Sequence, residues 1–189
     1  MTEHTEWNSN DQESQENKNA YHDLLENIRL NMNPDSNTVL LVDDELSIRK
    51  RVARDITAVD KNIVVYEAGD GREALERLAE IRQKYNRDPV FMVLDLNMPV
   101  MTGWEVIEHL REEYVNAGQT SGIPIIVLSS TSGDKGSVPF FRKTVHGGKM
   151  NYVPLVTIAK EACVTAAKYD AKGEKGLLAW MKHFMRSES

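Results

Sequence analysis

The chain has 189 residues, 41% hydrophobic and 28% charged, with a net charge of −6, enough for one domain with a real core plus a tail. Residues 1–37 hold eight acids against two bases, and the rest of the chain has 21 of each sign. The acidity therefore belongs to the tail, and a neutral body excludes the broad basic footprint of a nucleic-acid binder. No run reaches the ~20 apolar residues of a membrane helix, and the N-terminus lacks a signal-peptide pattern. A cytoplasmic protein with no membrane contact is expected.

Residues 1–20 are rich in Glu, Asn and Gln and read as disordered. Tyr21, Leu24, Leu25, Ile28 and Met32 then follow helical spacing, which predicts a short helix over about 21–32. So short a helix is marginal alone, and the chain's own domain is its expected dock. The domain itself should occupy 38–189. Its first strand ends in Asp43 and Asp44. Glu45 to Val59 reads as a helix with Ile48, Val52, Ile56 and Val59 inward and Arg49, Lys50 and Arg51 outward. Ile63 to Ala68 is a second strand, and Arg72 to Tyr85 a helix through Ala74, Leu75, Leu78 and Ile81.

Val90 to Leu94 is an unbroken apolar run, the signature of a strand buried on both faces, and it stops at Asp95, followed by Asn97, Met98 and Pro99. A helix from Gly103 to Tyr114 and a fourth strand over 123–130, closing in Ser129 and Ser130, come next. Residues 131–153 are too long for a simple link and read as an insertion. Pro154 to Ala167 is predicted as a helix carrying Leu155, Ile158, Ala162 and Thr165 inward. Its Cys163 reads as a buried thiol, and as the only cysteine it excludes an internal disulfide. Lys168 to Ala171 is the predicted fifth strand, and Gly176 to Met185 the last helix.

Alternating strands and helices with short links give an α/β fold, a parallel sheet with right-handed crossovers. Acids closing two strands should converge at the carboxyl edge of the sheet, where open α/β folds place ligands. Three clustered carboxylates repel one another unless a cation sits among them, and hard oxygen donors suit Mg²⁺. The histidines at 4, 22, 109, 146 and 183 show no ligand spacing.

Taken together, these residues resemble the receiver domain of bacterial two-component response regulators. The resemblance rests on Asp43-Asp44, Asp95 with Asn97-Met98-Pro99 and Gly103, Ser129, and Lys172, supported by Glu67-Ala68, Asp70-Gly71 and Glu73-Ala74-Leu75. It covers Thr38 to Met185 apart from 131–153. It implies a flavodoxin-like, doubly wound five-stranded parallel sheet in the order 2-1-3-4-5. It further implies that Asp95 accepts a phosphoryl group from a phosphohistidine on a histidine kinase or histidine phosphotransfer protein. Asp43, Asp44, Asp95 and the Asn97 backbone carbonyl would hold Mg²⁺. Ser129 and Lys172 would meet the phosphoryl oxygens, and Ser129 with Tyr169 would form the switch. Beyond self-phosphorylation and autodephosphorylation no enzymatic activity is implied.

One departure is visible. The family usually follows its lysine with proline, whereas Lys172 precedes Gly173 and Glu174; a cis bond before glycine is costly, so this loop is expected to be trans or glycine-adapted. The chain stops at Ser189, so a stand-alone receiver without direct DNA binding is expected. It would report to a downstream protein target through the helix 4, strand 5, helix 5 face and the insertion. The alternative is a receiver-like interaction module that is never phosphorylated. Within the insertion, residues 138–153 mix aromatic and aliphatic groups with bases and read as a partner-binding element. Gly147-Gly148 suggests a hairpin, and a short helix from Pro139 competes with it.

Overall fold

The apolar runs of the sequence become neighbouring strands of one parallel sheet. The computed structural model describes Ile28, Met32 and residues 37–119, 122–129 and 155–159. The strands are β1 (Asn37–Val42), β2 (Ile63–Ala68), β3 (Phe91–Asp95), β4 (Ile125–Ser129) and β5 (Leu155–Ala159). The helices are α1 (Leu46–Val59), α2 (Gly71–Tyr85) and α3 (Gly103–Asn116). The sheet order is β2-β1-β3-β4-β5 with every pairing parallel, the doubly wound order expected from the sequence.

Side chains of a strand alternate between faces, so each apolar run divides into two cores. Val39, Leu41, Phe91, Val93, Ile126 and Leu128 pack with Ile48, Val52 and Ile56 of α1. Leu40, Val42, Met92, Leu94, Ile125 and Val127 pack on the opposite face with α2 and α3 through Ala74, Leu78, Ile81, Val106, Ile107 and Leu110. This is why the runs of β1, β3 and β4 lack polar interruption. Ile28, ahead of the sheet, is helical and fully buried in the α1-side core, with Met32 packed against the same cluster.

The fifth strand departs from expectation. Leu155–Ala159 pairs with β4 in the register Ile125↔Leu155 to Ser129↔Ala159, where the spacing predicts part of a helix over Pro154 to Ala167. Three of its five residues, Val156, Thr157 and Ile158, are β-branched and favour a strand. The open edge of β4 also supplies a ladder of unpaired backbone groups. Because parallel neighbours need a crossover between them, the stretch read as an insertion is, in chain order, the connection from β4 to β5. The predicted strand Lys168 to Ala171, the last helix and the possible hairpin at 138–153 lie outside the described residues.

At the amino end of the sheet α2 and α3 are clasped by a polar cluster. The Arg82 guanidinium meets Asp88 at 2.6 Å and Glu113 at 2.7 Å, and donates to the Tyr114 hydroxyl at 3.0 Å. That hydroxyl donates to Asp88 Oδ2 at 2.6 Å. Burial, then the Asp88 carboxylate, pushes the Tyr114 hydroxyl well above the ordinary tyrosine range, against the opposing pull of Arg82. A raised phenol pKa favours the protonated, folded form, so this contribution is intact below the unfolded value near ~10 and is lost as pH climbs above it. Tyr114→Phe should cost about 1–2 kcal/mol at neutral pH. It should also flatten the alkaline arm of a urea-denaturation series. An unchanged alkaline arm in Tyr114→Phe would remove this account.

Candidate functional site

Asp43 and Asp44 follow β1 directly, and Asp95 is the last residue of β3. Val42 registers with Leu94, so the neighbouring strands end level and deliver their acids to one place. The carboxylates of Asp43, Asp44 and Asp95 offer oxygens that all lie within 4.8 Å of one another. Asp43 is fully buried and Asp95 is 2% exposed, whereas Asp44 is open to solvent. Asp43 Oδ1 accepts from the Glu45 N–H at 2.8 Å, which turns the chain into α1, and Asp95 Oδ1 accepts from the Asn97 N–H at 3.3 Å. Bonds to neighbouring backbone N–H groups orient these carboxylates but do not remove the like charge they share. The donor set, three hard anionic oxygens of which two are withdrawn from water, fits a small divalent cation.

Two glycines allow the loops to close over this edge. A Cβ on Gly103 would overlap the carbonyl oxygen of Asp95 and lie 2.9 Å from Leu96 Cα. With no side chain there, the Gly103 N–H donates to the Leu96 carbonyl at 3.1 Å, seating the first turn of α3 against the end of β3. Thr102 and Glu105 cap that turn reciprocally, and the Thr102 N–H, then its hydroxyl, hold the Glu105 carboxyl below the usual carboxylate range. A Cβ on Gly71 would lie 2.7–2.8 Å from Val106 and Met101. Its N–H donates to the Met101 carbonyl at 3.0 Å, tying the start of α2 to the β3–α3 loop. Asp70 caps α2 by accepting from Arg72 and Glu73 N–H, while the Glu73 carboxylate accepts from Gly69 N–H.

The other expected site residues divide. Asn97 is exposed beside Asp95, and its N–H faces the acid. Ser129 ends β4 one residue beyond Leu128, the register partner of Asp95, and so lies at the same edge. Tyr169 and Lys172 lie outside the described residues, and β5 at Leu155–Ala159 no longer places Lys172 directly after a fifth strand.

Arg49, read from the sequence as pointing outward, is a correction. Its Nη1 donates to the Asp43 carbonyl at 2.6 Å and its Nε meets Glu67 Oε2 at 3.3 Å, with the side chain 17% exposed. It bolts α1 to the ends of β1 and β2 directly behind the acids. The signal was available, since positions 49, 52 and 56 share a helical face with buried Val52 and Ile56.

A family model for the response regulator receiver domain matches residues 39–147, more than half of the chain. The chain belongs to the response regulator receiver family. Among curated relatives, it is 32% identical over 115 residues to the nitrate/nitrite response regulator protein NarL of Escherichia coli K12, covering 61% of this chain and 48% of that protein. It is 33% identical over 94 residues to a protein-glutamate methylesterase/protein-glutamine glutaminase of Syntrophomonas wolfei, covering 50% of this chain and 23% of that protein. The chain thus matches less than half the length of these relatives. The bacteriophytochrome response regulator AtBRR shares the fold with a TM-score of 0.51 at 22% identity, over 67% of this chain and 84% of its own. A two-component response regulator from Cytophaga hutchinsonii does so at 0.50 and 19% identity, over 66% and 86%. The acid cluster of this receiver stands at the carboxyl edge of its parallel sheet. Among the described residues no helix is long and apolar enough to cross a membrane.

Proposed function

We propose that this receiver is a phosphoacceptor in a two-component pathway, with Asp95 taking a phosphoryl group from a phosphohistidine on a histidine kinase or histidine phosphotransfer protein. The observation that carries the reading is the meeting of Asp43, Asp44 and Asp95 within 4.8 Å at the carboxyl ends of β1 and β3. Asp95 ends β3 where the Gly103 N–H bonds the carbonyl of the next residue, Leu96, and the start of α3 sits against the Asp95 backbone. An Asp95 oxygen forms the new P–O bond as the P–N bond of the phosphohistidine breaks. The electron pair of that bond stays on the imidazole nitrogen, which takes a proton from solvent where the ring requires one. An acyl phosphate remains.

Asp43, Asp44, Asp95 and the Asn97 backbone carbonyl are the groups that would hold Mg²⁺, which when bound neutralises charge on the phosphoryl oxygens. Arg49 keeps the Asp43 backbone in place from behind. Ser129, at the same edge, is the hydroxyl donor to the phosphoryl group. For the cationic partner the resemblance names Lys172, while β5 ends at Ala159, immediately before Lys160 in sequence. These two lysines are the contenders. Tyr169 belongs with Ser129 as the switch pair, and output runs to a downstream protein through the side of the sheet beyond β4.

Intact mass after incubation with acetyl phosphate tests the reading. One phosphoryl group should appear with Mg²⁺ and none without it. Asp44→Ala should lose most of the label and raise the Mg²⁺ requirement by roughly tenfold, equivalent to about one modest ion contact. Of Lys172→Ala and Lys160→Ala, the one that lowers the yield or lifetime of the phosphorylated form identifies the cation. Full labelling of wild type without any divalent cation would contradict the acid-site account.

A further inference from the structure

Arg49 gives up more than a clasp between a helix and a sheet requires. Its side chain is only 17% exposed, so the guanidinium has lost most of its water and its rotamer freedom. The carboxylate it meets, Glu67, is 40% exposed, and so open an ion pair adds little to stability. What the arrangement does supply is direction. A guanidinium carries its donors in a rigid planar fork, and Nε on Glu67 Oε2 at 3.3 Å aims Nη1 at the Asp43 carbonyl, 2.6 Å away. Gly69 lies alongside the fork, where a Cβ would touch Nη1 at 3.5 Å and Glu73 Oε2 at 3.6 Å.

That carbonyl matters for where it sits. It belongs to the peptide group joining Asp43 to Asp44, and a peptide group turns as one plane. Any rotation of this plane swings Asp44 and the carboxylate it carries. The plane ahead of Asp43 is fixed separately, since the Asp43 N–H donates to the Ala68 carbonyl at 3.1 Å. The Asp43 side chain is oriented through Oδ1, which accepts from the Glu45 N–H at 2.8 Å. Asp44 is the exposed member of the trio, and the plane that aims it is held by Arg49. Both holds lead back to the end of β2, to Ala68 directly and to Glu67 through the guanidinium.

We propose that Arg49 is a positioning residue for the divalent cation, setting metal affinity through the Asp43–Asp44 peptide while touching neither metal nor phosphoryl group. This deepens the phosphoacceptor reading above, on which it rests. The sign of the effect separates positioning from plain electrostatics. A guanidinium near a cation site repels the cation, so as a bare charge Arg49 would weaken binding and its removal would tighten it. As a support for the acids it strengthens binding, and its removal loosens it. Groups that orient metal ligands are worth roughly 10–100-fold in metal affinity. One bond to a backbone carbonyl belongs at the low end of that range.

The test titrates full-length protein with Mn²⁺ in place of Mg²⁺, both hard cations that take oxygen ligands. Free Mn²⁺ is read by its electron paramagnetic resonance signal, with no phosphoryl donor present. Arg49→Met keeps the apolar stem and removes the fork, and its Kd for Mn²⁺ should rise roughly tenfold. Arg49→Lys keeps the charge but not the fork, so it should recover part of the loss and settle roughly threefold above wild type. A lowered metal-free thermal midpoint in Arg49→Met is expected of any structural role, so the metal affinity decides. A Kd in Arg49→Met equal to wild type, or tighter, would overturn the proposal and leave Arg49 a clasp of the fold. Should Arg49→Met fail to fold, Arg49→Lys decides, and wild-type affinity there would overturn the proposal. Wild type that holds Mn²⁺ but takes no label from acetyl phosphate would sink the phosphoacceptor reading alone, so the two failures stand apart.

Discussion

Asp95→Asn is expected to end phosphoryl acceptance and, in metal-free buffer, to make the protein more stable. The first effect follows from chemistry, since an amide oxygen is a poor nucleophile and cannot form the acyl phosphate. The second follows from the cluster. Three carboxylates with oxygens within 4.8 Å repel one another, and two of them are buried. Relieving one charge at such separations is worth on the order of 1–3 kcal/mol with partial solvent screening. Asparagine nearly matches the shape of the acid and keeps an oxygen for the Asn97 N–H, so packing should survive. The expected pattern is no label, a raised thermal midpoint without divalent cation, and a smaller gain in midpoint when Mg²⁺ is added. A midpoint below wild type in metal-free buffer would mean that the three charges do not oppose one another as their spacing requires.

Gly103→Ala should be the most damaging single substitution at the site that replaces no acid. The added methyl would overlap the Asp95 carbonyl oxygen and crowd Leu96 Cα, both backbone atoms that cannot swing aside like a side-chain tip. Either α3 lifts from β3, breaking the hydrogen bond from Gly103 N–H to the Leu96 carbonyl, or the end of β3 moves and carries Asp95 with it. Overpacking against fixed backbone costs about 1–3 kcal/mol and sometimes more, and the upper part of that range applies here. Denaturant melts should show the loss, and the surviving folded fraction should take label from acetyl phosphate at least roughly tenfold more slowly. Wild-type labelling rates in a destabilised Gly103→Ala would show that α3 yields and the acid stays in place.

The residues that carry the site were legible because they violate the pattern around them. Asp43 and Asp95 stand at the ends of apolar runs, where a carboxylate is costly unless it meets a partner, and the carboxyl edge of a parallel sheet is where open α/β folds take ligands. Strands β1, β3 and β4 were legible for the complementary reason, since uninterrupted runs such as Val90 to Leu94 suit a sheet covered on both sides. The fifth was not. Leu155 and Ile158 satisfy helical spacing as well as strand composition, and the choice was made by the free edge of β4, a partner that local sequence does not display. Arg49 was misread because a base among bases looks solvated, although its distant partners, Glu67 and the Asp43 carbonyl, decide its direction.

The central claim is that Asp95 carries the phosphoryl group, and borohydride trapping tests it most directly. Reduction of an acyl phosphate converts the aspartate that bears it into homoserine and leaves free carboxylates untouched. Protein treated with acetyl phosphate and Mg²⁺, reduced and digested, should yield homoserine at position 95 and aspartate at positions 43 and 44 when read by tandem mass spectrometry. Homoserine at 43 or 44 with aspartate intact at 95 would contradict the account.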